Sequence, residues 1–132
     1  MVDKPCRNCF VISYDPGVGM HDHYDDNVYG DWILGLTLGS GCTINFKNGN
    51  KTVPIYLEPR SAYLMTGDAR YKWTHGIVEQ EFDIVKGEKK KRGRRISMTF
   101  REKPRNYNGT RMDTQTQTGI KKAVLLKPKY LD

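Results

Sequence analysis

The chain has 132 residues, and its 22 Lys and Arg against 15 Asp and Glu give a formal charge of +7. That length allows one domain with a real core and excludes a catalytic unit carrying an elaborate second module. The charge is local: residues 86–95 hold seven basic side chains and one acid, which leaves the other residues near neutrality.

No apolar run approaches bilayer-spanning length, and no charged start leads into an apolar stretch. The expectation is an intracellular protein, cytoplasmic or nuclear, with no membrane partner. Cys6, Cys9 and Cys42 are too few for a disulfide framework. Cys6-x-x-Cys9 lacks two further zinc ligands nearby, so reduced thiols are expected.

In chain order, Phe10 to Tyr14 is β-branched and aromatic, and Asp15-Pro16-Gly17 closes it with turn chemistry. Next comes His21-Asp22-His23-Tyr24-Asp25-Asp26, the densest group of metal-ligand side chains in the sequence. His23-x-Asp25 puts an imidazole and a carboxylate on one face of an extended segment. With His75 these would make a two-histidine, one-carboxylate site for Fe(II) with positions left open. His21-x-His23 competes at the same spacing, and a solvated acidic loop is the plain alternative. A calcium loop starting at Asp25 meets Leu36 where a bidentate Glu belongs, so calcium does not fit.

Trp32, Leu34, Leu36 and Leu38 alternate with Ile33, Gly35 and Thr37, a period of two with one strongly apolar face. Cys42, Ile44 and Phe46 continue the pattern, and Asn48-Gly49-Asn50 marks a hairpin into Val53, Ile55 and Leu57. Pro54 sends that strand to a sheet edge or a bulge. Ser61 to Thr66 and the His75 segment follow, then the basic run as a loop between strands. Arg95 to Arg101 alternates strictly: Ile96, Met98 and Phe100 on one face, Arg95, Ser97, Thr99 and Arg101 on the other. If the polar face points inward, its guanidinium groups need anionic partners, which a dicarboxylate would supply.

Short strands punctuated by Gly, Pro and Asn, with little helix, predict an all-β barrel or double-sheet jelly roll. Residues 1–9 read as an N-terminal extension, 10–103 as the domain, and 104–132 as a polar, basic tail expected to be mobile outside Val124 to Leu126.

Tyr14-x-Pro16-Gly17, His23-x-Asp25, Arg70-x-x-x-x-His75-Gly76 and Arg95-x-x-x-x-x-Arg101 resemble, in order and spacing, the motifs of the AlkB family of Fe(II)- and 2-oxoglutarate-dependent dioxygenases. Leu36-Thr37-Leu38-Gly39-Ser40 and Met65 to Ile77 look most like its branch that hydroxylates wobble uridines in tRNA. The resemblance implies an all-β double-stranded β-helix, a jelly roll of cupin type, in which His23, Asp25 and His75 bind iron, His21 being a neighbour. It implies that Tyr14 and Arg95 hold the distal carboxylate of 2-oxoglutarate, with Arg101 near the metal end. Asn27 falls where the family contacts the target base. Ile12 stands where many members have an asparagine that contacts the oxo acid.

The family's amino-terminal recognition lid is expected to be absent, so recognition would fall to a protein partner or to the basic run with Lys89, Lys90 and Lys91. The expected substrate is a modified base in nucleic acid, RNA and in particular tRNA. The alternatives are demethylation of alkylated DNA or of a protein side chain, and a non-catalytic RNA-binding jelly-roll subunit.

Overall fold

The structure is a computed structural model that describes residues 6–102 and 121–126. Nine strands make two facing sheets. The larger takes β1 (Cys6–Tyr14), β3 (Trp32–Gly39), β6 (Ser61–Thr66), β10 (Arg95–Glu102) and β11 (Lys121–Leu126) in the order β1-β10-β3-β6-β11. The smaller takes β2 (Met20–His23), β4 (Cys42–Asn48), β5 (Lys51–Leu57) and β7 (Thr74–Ile77) in the order β2-β7-β4-β5. All these pairings are antiparallel. The fold is the all-β, jelly-roll-like architecture expected, with a single five-residue helix, α1 (Gly67–Tyr71), among the described residues.

The alternating residues of the two sheets meet in one core. Ile33, Tyr63 and Met65 come from the larger sheet, and Ile44, Phe46, Leu57 and Ile77 from the smaller. Each of these fully buried side chains contributes about 1.5–3 kcal/mol by leaving water. Pro54 lies on β5, the edge strand of its sheet, as its missing N–H requires. The β4–β5 hairpin closes at Gly49, whose φ of 58° a side chain would resist.

β3 turns the opposite face inward from the one its leucines suggest. Ile33, Gly35 and Thr37 are buried, while Leu34, Leu36 and Leu38 are half-buried on the outer face. Tyr63 explains why. It pairs with Gly35 across the strands, and any Cβ at Gly35 would collide with its ring. Thr37 in turn meets Arg95. The interior of this sheet is therefore partly a polar site, and the fattest apolar stripe has been left for the outside.

The basic run departs from the expected loop. β8 (Phe82–Val85) pairs with β9 (Glu88–Lys91) as a separate two-stranded hairpin. Its two-residue turn has Lys86 at φ 52° and Gly87 at φ 77°, the type I′ pattern whose twist matches that of paired strands. At the termini, β1 reaches back to Cys6 because its ladder with β10 runs to Glu102, and Lys121–Leu126 adds an edge strand to β6. The other residues of the 104–132 stretch lie outside the described residues. No helix among the described residues is long and apolar enough to cross a membrane.

Candidate metal centre and oxo-acid pocket

β2 and β7 run antiparallel with His23 directly opposite His75, so pairing alone puts two imidazoles on the inner face of the smaller sheet. Their ring centroids are 4.3 Å apart. Asp25 follows two residues after His23 and turns its carboxylate to both rings, with Oδ1 3.6 Å from His23 Nε2 and 3.8 Å from His75 Nε2. One ligand atom from each of the three lies within 4.8 Å of the others. His21 is exposed and outside this group, and it contributes only its carbonyl, which accepts a 2.7 Å hydrogen bond from His23 Nδ1. That bond places a proton on Nδ1 and turns Nε2 to Asp25, where it can hold a proton for the carboxylate or give up that proton and offer its lone pair to a metal.

The electrostatics suit a cation. Burial alone would raise the Asp25 carboxyl, but the hydrogen bond from His23 and the charges of His75 and Arg101 outweigh it and hold the group down at about 2. Burial pushes His75 down to about 4, against the pull of Asp25, so it is neutral and able to donate a lone pair. Burial lowers His23 too, but the hydrogen bond and charge of Asp25 carry it above its ordinary value. An anionic carboxylate between two imidazoles is a donor set for a divalent first-row metal.

Arg70 positions the loop that carries Asp25. It has no accessible surface, and it donates to the carbonyls of Asp25 (2.9 Å), Asp26 (2.8 Å), Tyr29 (3.4 Å) and Gly30 (3.4 Å). As part of a motif it stood out in the sequence, but its role did not. A buried guanidinium satisfied by main-chain oxygens has no local sequence signature, since its partners lie more than 39 residues away. Gly76 closes the same motif, and its packing reason is likewise tertiary: a Cβ there would strike the Asp22 side chain, which is held by Lys47 at 2.7 Å.

The polar face of β10 does point inward at its start. Arg95 is 6% exposed and Ser97 8%. Arg95 Nη2 donates to Thr37 Oγ1 at 3.2 Å, its Cζ lies 5.3 Å from the Tyr14 ring, and its Nε is buried with no partner. Among the described residues no carboxylate pairs with it. A nearly buried guanidinium left without an anion is costly, and a ligand carboxylate would relieve it. Burial pushes the Tyr14 hydroxyl up, against the Arg95 charge, so it stays a neutral donor beside that guanidinium. Arg101, at the other end, approaches Asp25 Oδ1 at 3.7 Å and has a buried Nε without a partner. Orphaned donors at Arg95 and Arg101, with the ligand cluster beside Arg101, fit a dicarboxylate reaching from metal to Arg95.

Asn27 is exposed in the loop just past Asp25. Lys89, Lys90 and Lys91 are not brought to the metal cluster. Their hairpin precedes Arg95, and β10 runs six residues, about 20 Å, from there to Arg101. Lys90 folds its ammonium over Tyr56 at 5.1 Å, and Lys89 over Phe82 at 4.0 Å. Arg92, in the same basic run, is buried in a bidentate pair with Asp83.

A jelly roll with two histidines and one aspartate on its inner wall, and an unpaired arginine deeper in, belongs to the class of non-haem metal oxygenases. The sequence pattern of the 2OG-Fe(II) oxygenase superfamily matches residues 2–101. The chain is 42% identical over 106 residues to an uncharacterised protein of Acanthamoeba polyphaga mimivirus, covering 76% of this chain and 50% of that one. It is 40% identical over 77 residues to a tRNA (carboxymethyluridine(34)-5-O)-methyltransferase of Xenopus tropicalis, covering 57% and 12%. It is 31% identical over 98 residues to the mitochondrial alpha-ketoglutarate-dependent dioxygenase alkB homolog 7 of Mus musculus, covering 71% and 44%. The chain thus spans half or less of each of these relatives. It belongs to the 2OG-Fe(II) oxygenase superfamily, as a member of the AlkB family, and Fe(II) and 2-oxoglutarate are the cofactor and cosubstrate of that family.

Proposed function

We propose that this protein is a dioxygenase that hydroxylates or demethylates a modified base in RNA, with tRNA as the natural carrier of that base. The carrying observation is the convergence of His23, Asp25 and His75 on one inner wall with a buried, anion-less Arg95 behind them. Fe(II) and 2-oxoglutarate, when bound, would supply with molecular oxygen the oxidation of a C–H bond, one oxygen atom entering the substrate and the other the succinate formed as carbon dioxide is lost.

The chain's own residues do the rest. His23, Asp25 and His75 would hold the metal, with the carboxylate as the anionic ligand. Arg95 and Tyr14 would take one carboxylate of the oxo acid, and Arg101 would neutralise charge at the end nearer Asp25. Asn27, exposed in the loop past Asp25, would read a base, and Lys89 and Lys91 would contact the rest of the nucleic acid. The core around Phe46 and Ile77 keeps water from the oxidising centre. The RNA reading draws on the tRNA-modifying relative and on the basic run.

Succinate release from 2-oxoglutarate and Fe(II), with and without total tRNA, tests this. Stimulation by tRNA supports the reading, and concurrent formaldehyde identifies demethylation over hydroxylation. Stimulation by a protein fraction and not by any nucleic acid would refute it.

A further inference from the structure

The β8–β9 hairpin stands at the end of β10 away from the metal cluster, yet it is held firmly. Arg92 donates from Nε to Asp83 Oδ2 at 2.7 Å and from Nη2 to Asp83 Oδ1 at 2.9 Å. Its Nη1 reaches the Val78 carbonyl at 2.7 Å, and both members of the ion pair are buried. A bidentate guanidinium–carboxylate pair in a buried setting fixes orientation as well as position. The hairpin's outer residues therefore sit at a set distance from the metal.

Strand parity then sorts the side chains. The opposed pairs are Phe82 with Lys91, Asp83 with Lys90, Ile84 with Lys89, and Val85 with Glu88. Side chains alternate, so Asp83, Lys90, Val85 and Glu88 share one face, and Asp83 is buried there. The other face holds Phe82, Ile84, Lys89 and Lys91. Both carboxylates of the two strands are thus removed from it, and two exposed lysines remain with an aromatic ring and Ile84, which is 66% exposed. Lys86 stands exposed at the turn. Two cations beside a flat apolar surface, with no acid among them, suit a phosphate backbone with bases against it. A lipid surface fits less well, because one exposed isoleucine is too little apolar surface to insert.

We infer that this outer face is a backbone contact for a nucleic-acid chain whose reacting base lies at the metal cluster. The substrate is then a polynucleotide and not a nucleotide: about 20 Å of β10 exceeds the reach of one nucleotide, since phosphates stand about 3.4 Å apart along a stacked strand and farther apart in an extended one. This rests on the nucleic-acid reading above and adds a length requirement to it. Lys90, turned to Tyr56 on the other face, is not part of the contact.

Fluorescence anisotropy of labelled oligouridylates, a trinucleotide and a dodecanucleotide, tests it across a salt series. The dodecanucleotide should bind far more tightly than the trinucleotide. The double variant Lys89→Gln/Lys91→Gln should weaken dodecanucleotide binding about 25-fold at about 0.1 M salt and flatten the log–log salt slope by about 1.4, two contacts at about 0.7 each. Lys90→Gln and Lys51→Gln should change neither value appreciably. Equal slopes for wild type and the double variant, with RNA bound, overturn the hairpin contact and leave the RNA reading standing. Wild type that binds neither oligonucleotide, and shows no succinate release with tRNA, overturns both. Loss of binding to phosphatidylserine vesicles in the double variant, without loss of RNA binding, overturns the inference in favour of a membrane surface.

Discussion

Arg70 Nη1 donates to the main-chain oxygen of Asp25 at 2.9 Å, so the metal loop is held by a guanidinium with no accessible surface. The carboxylate itself stays free for His23, His75 and a cation. Arg70→Met should leave several buried carbonyls without donors, at about 1–3 kcal/mol for each that water cannot reach. The expected result is an unfolding free energy, from urea melts, lowered by at least about 2 kcal/mol, together with a lower midpoint and weaker Co(II) binding. An unchanged midpoint and unchanged metal affinity would mean that the loop holds its shape without this arginine.

His23→Ala, Asp25→Ala and His75→Ala should each abolish tight binding of Fe(II) or its Co(II) substitute, with strand content retained by circular dichroism. His21→Ala should bind metal normally, because only its carbonyl takes part and alanine keeps it. Loss of metal in His21→Ala with retention in Asp25→Ala would establish a three-histidine site instead.

Arg95→Lys should weaken 2-oxoglutarate binding by roughly five- to a hundred-fold, about 1–3 kcal/mol, since an ammonium cannot make the paired contact of a guanidinium. Titration calorimetry on the metal-loaded protein measures this. Equal affinity would show that the partnerless Nε of Arg95 has no part in holding the oxo acid.

The Asp83–Arg92 pair should make stability depend on acid. Burial raises the Asp83 carboxyl, but the hydrogen bond and charge of Arg92 outweigh it and hold the group below its ordinary value. A carboxyl lowered on folding stabilises above its unfolded pKa of about 3.9 and loses that contribution as pH falls through the folded value. Asp83→Asn also strands a buried guanidinium, so it should be destabilised by about 3–5 kcal/mol at pH 7. Urea melts should show this gap from wild type narrowing as pH drops below about 4. A gap constant with pH would mean that the charge of Asp83 contributes nothing.

The sequence by itself determined what depends on neighbours along the chain. Period-two alternation in β3, β4 and β10 defined strands, the Asn48-Gly49-Asn50 turn defined a hairpin, and His23-x-Asp25 placed two donors within reach of each other. Tertiary structure decided which face of each strand looks inward. Alternation gives two faces and no preference between them once the interior is partly polar. Thus the leucines of β3 went outside, and Gly35 and Thr37 went in beside Tyr63 and Arg95. It also brought His75 opposite His23 across 52 positions of chain and gave Arg70 its carbonyls, because such contacts depend on strand order and register. The same reason separates the lysines from the metal: β10 is a rigid spacer, and only its direction through the sheet shows that Arg95 and Arg101 stand at opposite ends of the site.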